Sequence, residues 1–301
     1  MARPFSRRSF LSSAAGAIAG SAMLTQGVPL FAAADSSGGL RLKKAVKFNM
    51  VKEGASVEDK FNLVKSLGFQ GVEIDSPGGV NREEAVAAKK KTGIDIHGVI
   101  DSVHWDKRLS DPDPAVREIG LKALKTAIDD CKFYGATTVL LVPGKVSNEK
   151  TENYQQCWDR SAAEVRKAIP WAKDAGVKIA IETVWNNFIT KPEQMTQYVD
   201  QFGTPTVGTY FDISNMIKFG VPPADWIRAL GPRLLKFDFK GYSKSKGWCG
   251  IGEGDENWPD VLKALKEVNY QGEFATAEVD GGGAKALKDI SQRMDRILGL
   301  A

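Results

Sequence analysis

From residue 45 onward the chain alternates eight short β-type runs with eight helical patterns, and few folds accept that order. The predicted strands are 45–50, 71–75, 94–100, 137–142, 177–182, 207–212, 234–239 and 273–279. Helical patterns begin near Val57, Asn81, Pro114, Asn153, Lys191, Pro222, Asn257 and Gly283. Asn81 with Glu84, and Thr190 with Glu193, have capping-box spacing. Val116, Ile119, Ala123, Ala127 and Cys131 follow helical spacing and predict one buried face. Strands separated by helices pair in parallel, because a tight hairpin cannot contain a helix. Eight such units in about 260 residues predict a single-domain α/β fold, a closed (β/α)₈ TIM barrel over 45–301. The alternative is an open doubly wound sheet, but no Gly-rich phosphate loop follows the first strand.

The residues before the barrel are of another kind. Ser6-Arg7-Arg8-Ser9-Phe10-Leu11 precedes a weakly apolar stretch rich in Ala, Gly and Ser, which ends in Phe31-Ala32-Ala33-Ala34. This predicts a twin-arginine signal peptide over 1–34, a linker over 35–44, and a periplasmic or secreted mature protein handled by the twin-arginine translocase. The apolar run is too short and too Gly/Ser-rich for a retained membrane span, so no membrane anchor is expected. A net charge of +4, with basic and acidic residues interspersed, gives no case for a nucleic-acid surface. The three cysteines, Cys131, Cys157 and Cys249, form no close redox or zinc pair; Cys131 reads as core.

In a barrel the chemistry sits where strands end and the following loops begin. Glu182 closes the fifth predicted strand and Asp212 the sixth, while Asp238 lies in the seventh and Glu278 in the eighth. Four anions at short range raise one another's pKa unless a cation neutralises them. An all-oxygen set suits Mn²⁺ first, with Mg²⁺ or Co²⁺ as alternatives, whereas zinc more often takes His or Cys.

The order of these motifs resembles the xylose isomerase-like TIM-barrel family of sugar isomerases, epimerases and family 2 AP endonucleases, over about residues 45–298. The stretches that carry it are Leu67-Gly68-Phe69-Gln70-Gly71-Val72-Glu73, Leu109-Ser110-Asp111-Pro112-Asp113-Pro114-Ala115-Val116-Arg117 and Leu140-Leu141-Val142-Pro143-Gly144. Ile181-Glu182-Thr183-Val184-Trp185-Asn186-Asn187-Phe188, Tyr210-Phe211-Asp212-Ile213-Ser214-Asn215 and Gly252-Glu253-Gly254-Asp255-Glu256-Asn257-Trp258 complete it. The resemblance implies that Glu182, Asp212 and Glu278 bind a metal and that the two glutamates exchange the substrate proton. The family's strand-seven histidine is absent. Asp238 stands in its place, in Asp238-Phe239-Lys240-Gly241, and is expected to ligate directly.

The expected reaction is proton abstraction beside the carbonyl of a keto sugar, giving an isomerase or epimerase. A 3-keto-glycoside lyase using the same groups is the close rival, and a non-catalytic sugar-binding barrel is the alternative from another class. Phosphodiester cleavage is disfavoured, because the chain has only His97 and His104. Export points to a free or oxidised sugar or a glycoside in preference to a sugar phosphate. His104, Trp105, Lys240, Glu73, Trp185 and Trp248 are the candidate substrate contacts; the alternatives are a structural role for His104-Trp105, pairing with Asp238 for Lys240, bracing of a neighbouring loop for Glu73, and packing for Trp185 and Trp248. Homo-oligomerisation is left open.

Overall fold

The computed structural model describes residues 40–300. The expected signal peptide, and the 35–44 linker up to residue 39, lie outside them. Eight strands close into an all-parallel barrel: β1 (Lys43–Lys47), β2 (Gly71–Ser76), β3 (Asp95–Asp101), β4 (Thr138–Leu141), β5 (Lys178–Glu182), β6 (Val207–Asp212), β7 (Leu234–Phe239) and β10 (Phe274–Ala277). Around it run α1 (Val57–Ser66), α2 (Arg82–Thr92), α3 (Pro114–Tyr134), α4 (Tyr154–Ala175), α5 (Pro192–Asp200), α6 (Pro223–Leu230), α7 (Trp258–Glu267) and α8 (Ala284–Leu298). Closure comes from β1 pairing with both β2 and β10. No helix among the described residues is long and apolar enough to cross a membrane.

The main apolar core lies between barrel and helices, where Phe61, Leu124, Tyr198, Phe211, Trp226 and Phe237 are fully buried. Inside the barrel the apolar part is small, with Leu140, Ala180 and Tyr210 as its buried members. Much of the remaining interior is polar: Lys47, Glu73, His97, Thr138, Lys236 and Thr276 are all buried. Burying so many polar groups is tolerable only where they satisfy one another, so this interior reads as built for charge.

Several expectations shift in detail. The first strand begins at Lys43, inside the presumed linker, and ends at Lys47, where Phe48–Met50 form a 3₁₀ turn. The last strand stops at Ala277, so Glu278 stands just beyond it. Pro192 sets the first turn of α5, which makes Lys191 the cap, and Gln194 rather than Glu193 receives the amides of Thr190 and Lys191. Ile119 is 49% exposed; the buried face of α3 runs through Gly120, Ala123, Leu124, Ala127, Ile128 and Cys131. The rotation is set at Gly120, whose missing side chain lets the helix lie against the Lys107 carbonyl.

Two carboxylates tie down the loops that frame the barrel mouth. Glu152 accepts from Arg108 Nε (3.0 Å), Ser110 Oγ (2.6 Å) and Ser147, joining the loop after β3 to the loop after β4. Glu256 accepts from Ser214 Oγ (2.6 Å) and the Tyr242 amide (2.7 Å). The second tie anchors a two-stranded hairpin, β8 (Tyr242–Ser243) with β9 (Gly247–Trp248), which the sequence reading did not foresee.

Candidate active site

Side chains alternate along each strand, so Tyr210 and Asp212 on β6, and Lys236 and Asp238 on β7, share a face with Glu182 on β5. The registers place Glu182 beside Tyr210 and Asp212 beside Asp238. Glu182, Asp212, Asp238 and Glu278 each offer one carboxylate oxygen, and all four oxygens lie within 4.8 Å of one another. The four predicted acids therefore do converge, at the C-terminal mouth of the barrel.

Each acid is held differently. Asp212 is wholly buried, and its Oδ1 accepts from the Ser214 and Asn215 amides (both 2.8 Å), leaving Oδ2 turned away from that turn. Asp238 Oδ1 accepts from the Tyr210 hydroxyl (2.7 Å), a proton that Glu73 Oε2 (2.8 Å) competes for. Asp212 Oδ2, Asp238 Oδ2 and Glu278 Oε2 are buried without a hydrogen-bond partner, which is costly unless something else compensates them. Two ammonium groups give partial compensation. Lys240 Nζ lies 3.3 Å from both Asp212 Oδ2 and Glu278 Oε1, and Lys47 Nζ lies 3.0 Å from Asp238 Oδ2 and 2.6 Å from Glu73 Oε2.

The electrostatics follow from this crowding. Burial, and then the Glu278 charge, push the Glu182 carboxyl well above the usual range; burial also raises Asp212 and Asp238. At Glu278 burial is outweighed by Lys47 and Lys240, which hold it down to about 2. Lys47 is itself buried, yet Asp238 and Glu73 raise its pKa well above the ordinary lysine value. Lys47, Lys240 and the more distant Lys236, 3.8 Å from Glu73, face five carboxylates. With three unpartnered oxygens among the four converging acids, and burial favouring their neutral forms in the absence of further positive charge, the donor set fits a hard divalent cation.

Above the acids opens a cavity of about 1360 Å³. Glu182, Glu278, Lys47 and Lys240 line it, whereas Asp212 and Asp238 are buried behind its wall. A family model described as "Xylose isomerase-like TIM barrel" matches residues 61–297. The chain belongs to this family.

Among its relatives, an uncharacterized protein of Methanocaldococcus jannaschii is 27% identical over 179 residues, 54% of this chain and 59% of its own length. L-ribulose-5-phosphate 3-epimerase UlaE of Salmonella paratyphi A is 22% identical over 231 residues, covering 72% of this chain and 80% of that protein. The chain thus spans under two thirds of the first of these and four fifths of the second. Of solved structures, the 3-keto-D-glucoside 4-epimerase YcjR of E. coli superposes with a TM-score of 0.73 at 17% identity, over 85% of this chain and 99% of that one, a likeness of fold.

Within this xylose isomerase-like barrel the remaining candidate contacts divide. His104, Trp105, Lys240, Trp185 and Trp248 all line the cavity. Glu73 does not: it lies within β2, is 1% exposed, and is taken up by Lys47 and Tyr210 in the barrel interior. Gly98 on β3 leaves room for that carboxylate, since a side chain there would collide with it. His104 Nδ1 accepts from the Val142 amide (3.4 Å), so Nε2 carries the proton, and burial lowers the ring's pKa to about 4. It therefore offers a neutral N–H donor to the cavity at ordinary pH. Lys47, Tyr210 and Asp101 also belong to the site and are not among the sequence candidates. Asp101 ends β3, lines the cavity, and is raised by burial to about 7. The available signal was a lysine at an inward position of a predicted strand, where an unpaired charge would not be tolerated.

Proposed function

We propose that this protein is a metal-dependent carbohydrate epimerase or isomerase that moves a proton on the carbon beside a ketone. The observation that carries the reading is the division among the four converging acids: Glu182 and Glu278 reach the cavity, and Asp212 and Asp238 stand behind it. Two groups placed to touch substrate are carboxylates able to take up and return a proton; two are placed only to hold charge. That named relatives are sugar epimerases supports a carbohydrate substrate.

Glu182, Asp212, Asp238 and Glu278 would together hold the divalent ion, Mn²⁺ by preference, which supplies positive charge beside the substrate carbonyl. One glutamate removes the proton from the carbon and the other delivers it to the opposite face or to the neighbouring carbon. Lys240 stays protonated, because Asp212 and Glu278 raise its pKa against burial, and donates to a substrate oxygen. His104 donates from Nε2 to a hydroxyl. Export by the twin-arginine route belongs to the same reading, and N-terminal sequencing of periplasmic protein tests it.

The decisive experiment incubates Mn²⁺-loaded protein with keto sugars in D₂O and follows substrate C–H exchange by NMR. Glu182→Gln and Glu278→Gln are expected to slow exchange by about 10²–10⁴-fold while the fold persists. Exchange unaffected by both changes would remove the catalytic reading and leave a sugar-binding barrel. The size of the cavity favours a glycoside, and release of an aglycone instead of an altered stereocentre would identify the lyase variant.

A further inference from the structure

The cavity is larger than the about 300–1,000 Å³ that ordinarily encloses a small ligand. Three tryptophans line it: Trp105 in the loop after β3, Trp185 after β5 and Trp248 on the β8–β9 hairpin. Trp185 is committed to packing: Trp248 stacks on it at 4.7 Å and 27°, the Lys218 ammonium lies 4.2 Å from its ring centre, and its Nε1 donates to the Asn215 carbonyl (2.6 Å). Trp248 is not. It is held by Trp185 and, edge-on, by Tyr242, yet remains 48% exposed. A large aromatic ring fixed by two others and still half open is a platform. The Lys240 ammonium is 3.3 Å from Asp212 and 4.8 Å from the centre of the Trp248 ring, which puts the platform within a sugar's width of the acids.

The same walls speak against phosphate. Lys47, Lys240 and Arg293 are the basic residues among the cavity walls described, and each is already paired: Lys47 with Glu73 and Asp238, Lys240 with Asp212 and Glu278, Arg293 with Glu253 and Asp289. In barrels of this kind phosphate often sits by the loops after the last two strands, on helix N-terminal amides. Here the first amide of α8, Ala284 N–H, donates to the Glu53 carboxylate (2.8 Å), which fills that position with the protein's own anion.

We propose that the cavity takes an uncharged, unphosphorylated glycoside as two rings, the reacting sugar over Glu182 and Glu278 and the attached ring stacked on Trp248. The proposal rests on the carbohydrate reading above and specifies its substrate class. The attached ring presents a flat apolar face, either a second sugar or an aromatic aglycone.

Isothermal titration calorimetry of the Mn²⁺-loaded mature chain tests it, with phenyl glucoside, cellobiose, methyl glucoside and glucose 6-phosphate as probes. At least one two-ring probe should bind about tenfold tighter than methyl glucoside, and glucose 6-phosphate should bind weakest. Phenyl glucoside ahead of cellobiose marks an aromatic aglycone, and the reverse marks a second sugar. In Trp248→Ala the two-ring preference should collapse, and in Trp248→Phe it should largely return. Equal affinity for one-ring and two-ring probes, a preference indifferent to Trp248→Ala, or tightest binding of glucose 6-phosphate would overturn the proposal. Binding is read here without turnover. A Trp248-dependent preference in a protein that exchanges no substrate proton would therefore sink the catalytic reading and spare this one.

Discussion

Lys47 holds a buried charge against two carboxylates from two other strands, Glu73 on β2 and Asp238 on β7. Lys47→Met takes the nearest ammonium from both, leaving the shared Tyr210 hydroxyl and, for Glu73, the more distant Lys236, and is expected to cost about 3 kcal/mol of stability, measured by urea denaturation. Adding Glu73→Gln should recover part of that loss, because one stranded charge is then removed; a double variant no more stable than the single would contradict the pairing. His104 offers a second check, through pH. Its folded-state pKa is depressed from 6.5 to about 4, so the stability it contributes is present above 6.5 and is lost as pH falls towards 4. Wild type should lose stability relative to His104→Asn across that window, since asparagine can accept the Val142 amide without titrating. Parallel unfolding curves from neutral pH down to pH 4 would refute it.

Elements were easier to read than their neighbours in space. The barrel strands are short β-type runs separated by helices, five of which open on a side-chain cap, and that alternation is legible along the chain. β8 and β9 are two residues each and give no periodic signal, so the hairpin and the platform it carries were invisible, although Trp248 itself was named. The acids at the strand ends were legible because strand ends are where barrels place their chemistry. The role of Lys47 was not, since it depends on the register that sets Lys47 opposite Glu73, and register is a property of two strands together. Glu73 was misassigned for the same reason: alone it looks like a free acid near the mouth. α3 gives an element-scale prediction. Gly→Ala inside a helix ordinarily stabilises by about 1 kcal/mol, but at Gly120 a methyl group would strike the Lys107 carbonyl. Gly120→Ala is therefore expected to lower the melting temperature, and a rise would show that the loop before α3 yields.

For the whole molecule, the converging acids link ion binding to folding. An ion that binds the assembled ring and not the unfolded chain stabilises by mass action, about 2.7 kcal/mol at a hundredfold excess over its dissociation constant. Scanning calorimetry should show the melting temperature rising with Mn²⁺ and falling back with EDTA, and Asp212→Asn should blunt the response. A melting temperature indifferent to Mn²⁺ would argue against the ring as an ion site.

The first and last strands of the barrel meet at one seam, because β1 pairs with β10. Lys47 comes from the first strand, Glu278 follows the last, and both belong to the charged chamber. The chamber thus exists only once the ring of strands has been joined. A nascent chain that lacks its final fifty residues has no Glu278 and no closing strand, so the full ring of acids arrives together with topological completion.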